Sequence, residues 1–327
     1  MKAVIDDKIP YIKGQIERLI DQTVYLKGSD IGPNDVADAD ILVVRTRTFC
    51  NESLLKDSKV RLIVTATIGH DHLDKDYLQR AGIEWTNCPG CNASSVMQYV
   101  HNSLLALGLL KKGLTVGVVG VGHVGTLVAN DLESKGLNVL RCDPPKGEKY
   151  TLPQLAERCD IITFHTPLTR DGEWPTWHLG DRAFLDGLSH CRLLLNASRG
   201  AVADNAALLS WHGDIGLDCW ENEPNISREL LQKCIVATPH IAGYSREGKQ
   251  RGTAMMLAAL NEHFGWDIPI PTIASPATGA VQVTLAGIAA SYDILADTAA
   301  LKADPATFES QRNHYPHRKE FDGQIYS

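Results

Sequence analysis

The chain has 327 residues, 44% of them hydrophobic and 22% charged. At about 150 residues per domain the length points to two domains, and the composition excludes wholesale disorder. Lys and Arg number 32 against 39 Asp and Glu, a net charge of -7 with no basic run, so neither nucleic acid nor an anionic membrane is expected as a partner.

No apolar stretch approaches the roughly 20 residues of a membrane helix; Leu104–Leu110 and Leu193–Leu195 are short. The first seven residues, Met1 to Asp7, turn acidic at once, which is not a signal-peptide pattern. Eight cysteines scatter from Cys50 to Cys234, several inside apolar runs such as Val139-Leu140-Arg141-Cys142. That is thiol usage expected of a cytoplasmic protein, not a secreted disulfide frame.

In chain order, Ala3–Ile5, Ile41–Val44 and Leu62–Val64 are short continuous apolar runs, as in strands buried on both faces. Tyr11–Ile20 reads as a helix between the first two, and Gly32-Pro33 and Pro89-Gly90 mark turns. Asn92 is placed as an N-cap for a helix Ala93–Leu110, on which Val96, Val100, Leu104 and Leu107 fall at helical spacing. A second alternating series follows, with strands at Thr115–Val119, Asn138–Cys142, Ile161–Phe164, Arg192–Leu195, Gly216–Asp218 and Ile235–Ala237, then a helix Ser245–Phe264. Alternation of this kind predicts parallel sheets covered by helices. Beyond Trp266 the segment carries Pro269, Pro271 and Pro276, a weak strand pattern at Val281–Leu285, and a charged, aromatic tail that reads as a disordered end or a small dimerising segment.

The strongest local signal is Gly120-Val121-Gly122-His123-Val124-Gly125. It follows the strand Thr115–Val119 and opens a helix Val124–Lys135, so Gly120 suits the tight turn, Gly122 the approach of a pyrophosphate, and Gly125 close helix–strand packing. The helix N-terminus offers amide groups to phosphate, His123 through its backbone. Asp143 stands 18 positions after Gly125, where an acid reading the ribose of NAD is expected. Three later strand ends carry acid–base and anion-binding groups: Asn196-Ala197-Ser198-Arg199-Gly200, Leu217-Asp218-Cys219-Trp220-Glu221-Asn222-Glu223-Pro224, and Thr238-Pro239-His240-Ile241-Ala242-Gly243-Tyr244. A His paired with Glu suits proton transfer from a hydroxyl, and Arg suits a carboxylate.

With these segments in this order, the chain resembles the D-isomer-specific 2-hydroxyacid dehydrogenases over essentially its whole length. Val44-Arg45-Thr46, Thr65 to His72, Pro89 to Ala93, Cys142 to Pro145, Thr163 to Leu168 and Pro239 to Tyr244 carry the likeness, together with a tail pattern Phe308-Glu309, Arg312, Tyr315-Pro316 and Arg318. The resemblance implies an NAD-dependent dehydrogenase with catalytic Arg199, Glu223 and His240, Glu221 being the rival acid. It implies cofactor contacts from Gly120, Gly122, His123, Val124, Gly125, Asp143, Thr166, Asp218 and Gly243. Substrate contacts fall on Thr46, Thr67 and Tyr244, with Arg45, or else Arg47, facing the anion of a phosphorylated small-molecule substrate. Two departures stand out: a short stretch Ser210 to Asp214 between Arg199 and Glu223, and a compact tail.

The expected fold is two doubly wound parallel-sheet (Rossmann-like) α/β domains, one inserted in the other. Residues 1–93 and 246–266 would form the substrate domain, 94–245 the NAD domain, and 267–327 a dimerisation segment making a homodimer, with the active site in the interdomain cleft. No metal is expected. Cys88-Pro89-Gly90-Cys91 has no second CxxC, and His70, His72 and His101 are read as structural, with an orienting role open for the first two. The alternatives are a dehydrogenase for another phosphorylated acid, such as 3-phosphoglycerate, and an NAD-gated corepressor-like binding protein.

Overall fold

The computed structural model describes residues 1–273, 293–316 and 318–320. It divides into two compact units, the first of residues 1–92 and 247–273, the second of residues 93–246 with the described tail. The expected Val281–Leu285 strand lies outside the described residues.

The first unit carries five parallel strands, β1 (Lys2–Asp6), β2 (Gln22–Leu26), β3 (Ile41–Val44), β4 (Leu62–Thr65) and β5 (Glu84–Thr86), in the order β2-β1-β3-β4-β5. The sequence runs read as strands are the three central ones, whose residues are almost all buried. The edge strands β2 and β5 escape the pattern because half-exposed edges do not need a continuous apolar run. The expected helix Tyr11–Ile20 does not form. Tyr11 and Gly14 adopt positive φ, 62° and 84°, and isolated turns such as Gln15 N–H to the Ile12 carbonyl replace a helical ladder. Ile12, Ile16 and Ile20 are buried all the same, so their fourfold spacing served a coiled loop over the sheet.

The second unit carries β6 (Thr115–Val119), β7 (Asn138–Cys142), β8 (Ile161–Phe164), β9 (Leu193–Asn196), β10 (Asp214–Leu217) and β11 (Val236–Ala237), all parallel, in the order β11-β10-β9-β8-β6-β7. Chain direction across the sheet reverses beside β6, so the crevice for a ligand falls where β6 and β8 end. The helix before this sheet is Ala93–Ala106, shorter than expected. Gly108 at φ 65° closes it, with the Leu109 amide on the Leu104 carbonyl and the Gly108 amide on Leu105, the left-handed stop that spares orphan carbonyls. The short connection before β10 is possible because Gly213 lies under the Trp211 ring; a Cβ there would stand 2.3 Å from it.

The described tail belongs to the second unit's own core. Ile294, Leu301 and Phe308 are fully buried, and helix Ile294–Ala303 packs along β11, where the Thr298 side-chain oxygen accepts the Ala237 amide at 3.0 Å. No helix among the described residues is long and apolar enough to cross a membrane.

Phe308→Ala should therefore lower the urea-unfolding free energy by about 3–5 kcal/mol, the usual cost of emptying a buried aromatic site. Unchanged stability would mean that the tail does not complete this core.

Candidate active site

The Gly120–Gly125 turn sits at the end of β6, and each glycine has a separate physical reason. Gly120 adopts φ 87°, and a Cβ there would stand 2.8 Å from the His165 backbone. A Cβ on Gly125 would stand 1.8 Å from the Gly120 carbonyl oxygen. One on Gly122 would meet nothing within 4 Å. Two of the glycines thus serve the protein's own packing, and the third faces open space. Gly122 caps helix His123–Ser134, whose first amides, those of His123, Val124 and Gly125, point out of its N-terminus.

The surroundings fit a dinucleotide. Asp143 follows β7 and its Oδ2 accepts the Val121 amide at 2.7 Å, which binds the acid to the glycine turn. Lys146 donates to the Val121 carbonyl at 2.7 Å. Across the crevice, at the end of β8, the Thr166 hydroxyl oxygen and His165 Nδ1 are buried without a protein partner. His165 Nε2 is 2.9 Å from the Thr163 hydroxyl, and burial drives its pKa down to about 3, so the ring is neutral under working conditions. Buried polar atoms left unmatched at a switch point are what a polar cofactor would satisfy.

The acid–base pair lies in the same unit. His240 Nδ1 is 2.8 Å from Glu223 Oε2, while Glu223 Oε1 accepts the Trp220 amide at 2.8 Å. The side chains are 27% and 16% exposed, so the carboxylate is shielded and the ring still reachable. Burial pushes the Glu223 carboxyl up, but the charge and hydrogen bond of His240, the Arg312 charge and the Trp220 amide outweigh it and leave the pKa below the ordinary value. Glu221, the rival acid, is engaged elsewhere: its Oε1 is 2.8 Å from His178 Nε2, and Asn205 Oδ1 accepts its amide at 3.2 Å. Cys219 Sγ, Glu223 and His240 lie within 4.8 Å of one another, as do His178, Asp204 and Glu221.

Asp218, expected on the cofactor, is held by its own chain. It is 1% exposed, with Oδ1 accepting the Thr238 hydroxyl at 2.7 Å and the Ile241 amide at 2.7 Å, and Oδ2 the Ala242 amide at 3.0 Å. Burial pushes its carboxyl above the ordinary range, against the pull of His240 and these donors. Through these bonds it anchors the loop bearing His240 and Gly243. Arg199 precedes the turn Gly200–Val202, and its Nη1 donates to the Ser198 carbonyl at 2.7 Å. A Cβ at Gly200 would stand 2.0 Å from the Trp220 backbone, so the Arg199 turn and the Glu223 segment are pressed together.

The first unit holds Arg45, Thr46 and Arg47 at the switch point where β1 and β3 end, and Thr67 after β4. Arg45 makes a two-pronged pair with the fully buried Asp6, Nε to Oδ2 at 3.0 Å and Nη2 to Oδ1 at 3.1 Å. Thr46 and Arg47 follow Arg45 in the loop after β3. Thr67, expected as a donor to substrate, donates instead to the Gly69 carbonyl at 2.7 Å, and the Thr65 hydroxyl beside it meets His72 Nε2 at 2.9 Å. His72 thus takes a structural role, as does His101, whose Nδ1 is 2.8 Å from Asp131. His70 lies against the Trp85 ring, with centroids 5.2 Å apart. Cys88 and Cys91 are buried thiols outside any disulfide, and Cys88 Sγ donates toward the Gly252 and Thr65 carbonyls.

One charged group went unnoticed in the sequence. Lys249, in helix Arg246–Phe264, is pulled down to about 8 by burial and then by the like charge of Arg45. Gly252, one turn on, faces the Ala66 carbonyl and Cys91 Sγ, so this side of the helix lies over the ends of the first sheet. Arg246, Lys249 and Arg251 crowd a helix start, where the dipole disfavours cations; that was the available signal of an anion nearby.

The glycine contrast is testable. Gly122→Ala should fold with near-normal thermal stability yet lose dinucleotide affinity, while Gly125→Ala should lose stability as well. Equal melting losses in both variants would refute the division of roles.

The comparisons with known proteins agree with this geometry. A sequence profile of the D-isomer specific 2-hydroxyacid dehydrogenase NAD binding domain matches residues 96–242. The erythronate-4-phosphate dehydrogenase of Bacteroides thetaiotaomicron is 44% identical over an alignment of 339 positions, covering 98% of this chain and 97% of that one. That of Escherichia coli O127:H6 is 39% identical, covering 98% and 92%. Among solved structures, the Aquifex aeolicus D-lactate dehydrogenase complexed with NAD and lactic acid superposes with a TM-score of 0.68 at 24% identity, over 81% of this chain and 96% of that one. The NAD-bound 3-phosphoglycerate dehydrogenase of Entamoeba histolytica gives 0.68 at 21% identity, over 84% and 99%. From the full-length relatives and the shared fold, the chain belongs to the erythronate-4-phosphate dehydrogenases, a branch of the D-isomer-specific 2-hydroxyacid dehydrogenase family.

Proposed function

We propose that the protein oxidises 4-phospho-D-erythronate to 3-hydroxy-2-oxo-4-phosphobutanoate with NAD, a step in making pyridoxine 5'-phosphate. The observation that carries this is the Glu223–His240 pair, 2.8 Å apart in the unit that bears the dinucleotide turn. NAD, when bound, supplies the acceptor for the C2 hydride. His240 takes the C2 hydroxyl proton on Nε2, because Glu223 holds Nδ1 and stabilises the imidazolium that forms. Arg199 binds the carboxylate and polarises the C2 oxygen as it becomes a carbonyl. Gly120, Gly122 and Gly125 shape the pyrophosphate cradle, with the His123 and Val124 amides facing it. Asp143 offers its second oxygen to the ribose, with Thr166 and Gly243 lining the nicotinamide end.

For the substrate, Arg45, Thr46 and Lys249 of the first unit supply the phosphate subsite, Thr67 joins it only by turning its hydroxyl from the Gly69 carbonyl, and Tyr244 is a further contact. Asp6 fixes the Arg45 fork, and Lys249 adds the charge that Asp6 neutralises. A phosphate held by charge-assisted hydrogen bonds gains what a free hydroxyl cannot match. Protein of this kind works as a cytoplasmic homodimer in our reading, sedimentation being the check.

Kinetics with a panel of acids decides the assignment. The kcat/KM for 4-phospho-D-erythronate should far exceed that for D-erythronate or 3-phosphoglycerate; equal values would sink the substrate assignment. His240→Asn should bind NAD nearly normally while turnover falls by about 10² or more. Asp143→Ala should relax the preference for NAD over NADP. Lys249 is charged below its pKa, so KM for the phosphorylated acid should rise as pH climbs through about 8. Lys249→Met should abolish that rise, and a rise persisting in the variant would remove Lys249 from the subsite.

A further inference from the structure

The tail does more than fill the core. Beyond Phe308 it closes on the loop that bears His240, at three points. The Arg312 guanidinium hydrogen-bonds the Tyr244 side chain, and its charge reaches Glu223 and Cys219. Arg312 Nε is buried without a hydrogen-bond partner. Tyr315 sets its ring edge-on to that of Tyr244, centroids 6.4 Å apart, and its hydroxyl donates to Asp297 at 2.7 Å. Arg318 donates from Nε to the Tyr244 carbonyl at 2.8 Å, and from Nη2 to the Ala242 carbonyl at 2.7 Å and the Ser95 hydroxyl at 2.9 Å.

The three contacts differ in kind. Arg318 binds backbone and sets where the loop lies. Tyr315 offers an apolar edge. Arg312 delivers charge to side chains assigned to the reaction. A core-filling tail has no need of a guanidinium there, since an aliphatic side chain would cover the same surface without the desolvation cost.

We propose that Arg312 is a positioning residue for the reaction: from the tail it orients the Tyr244 hydroxyl and sets its guanidinium charge against the Glu223–His240 pair. The inference rests on the dehydrogenase reading of that pair. The groups that face Glu223 are His240 from the loop after β11, Cys219 from the end of β10, and Arg312 from the tail; Asp218 and Arg199 act in turn on Cys219. Of the cations among them, Arg312 is one whose charge does not change over the working pH range. It therefore resists protonation of Glu223 as pH falls, when His240 would lose its anionic partner.

The test uses the full chain as Arg312→Ala and Arg312→Lys, with kcat/KM measured across pH and NADH affinity by fluorescence. Arg312→Ala should lose about tenfold or more in kcat/KM, the scale of one hydrogen bond to a charged group. Its acid limb should move to higher pH, NADH affinity should hold, and added guanidinium should restore part of the rate. Arg312→Lys should keep the acid limb near that of the wild type while losing rate, because the charge remains and the planar fork is gone. An acid limb that stays in place in Arg312→Ala, or that shifts as far in Arg312→Lys, would overturn the proposal. Should Arg312→Ala fail to fold, Arg312→Gln takes its place: its acid limb should move to higher pH, and an unmoved limb overturns the proposal. A wild-type protein that does not oxidise the phosphorylated acid would instead refute the dehydrogenase reading, and this shows before any variant is compared.

Discussion

The buried carboxylate of Asp218 is the fixed point on which the site depends. Taking a carboxylate out of water is costly unless its lone pairs are met. Here the Thr238 hydroxyl and the Ile241 and Ala242 amides meet them, while the Asp218 carbonyl accepts the His240 amide at 2.8 Å. Those four bonds pin the segment from Thr238 to Ala242. They hold His240 at φ 56°, a left-handed conformation that costs a non-glycine residue about 1–3 kcal/mol. The strain is borne where it aims the imidazole at Glu223, whose other oxygen is fixed on the Trp220 amide. Orientation of the base is thus set by backbone bonds, before any ligand binds.

The two units use one architectural rule for different chemistry. Each is a parallel sheet whose strand ends present loops at a switch point. In the second unit that point holds a glycine turn and a helix N-terminus, suited to a pyrophosphate. In the first it holds the Asp6–Arg45 pair, with Lys249 acting on it from a later helix. The net charge of -7 is no obstacle to an anionic substrate, since cations gathered at one sheet end outweigh a diffuse negative surface.

Much of this was legible in the sequence because central parallel strands must be apolar throughout and a dinucleotide turn must be glycine at fixed places. The glycine turn and Asp143 were named from such constraints, and Arg199, Glu223 and His240 from the family resemblance. What stayed hidden obeyed weaker ones. Edge strands β2 and β5 carry no continuous apolar run. The isoleucines at 12, 16 and 20 imitate a helix, and only the positive φ at Tyr11 and Gly14 shows otherwise. Asp218 lies in a motif that signals function, and nothing in its spacing shows that it also anchors a loop. Arg312 was visible only as part of a tail pattern, because its meeting with Glu223 spans 89 positions of chain (312 less 223).

The central claim is that His240, held by Glu223, takes the proton of a 2-hydroxy acid as its C2 hydride leaves. Stopped-flow oxidation of 4-phospho-D-erythronate, protonated or deuterated at C2, tests it most directly in wild type and Glu223→Gln. The account predicts a primary isotope effect on the first turnover of NADH formation, with a slower turnover in the variant and an altered pH dependence. NADH formation with no isotope effect in either protein, at the same rate and with the same pH dependence, would contradict it.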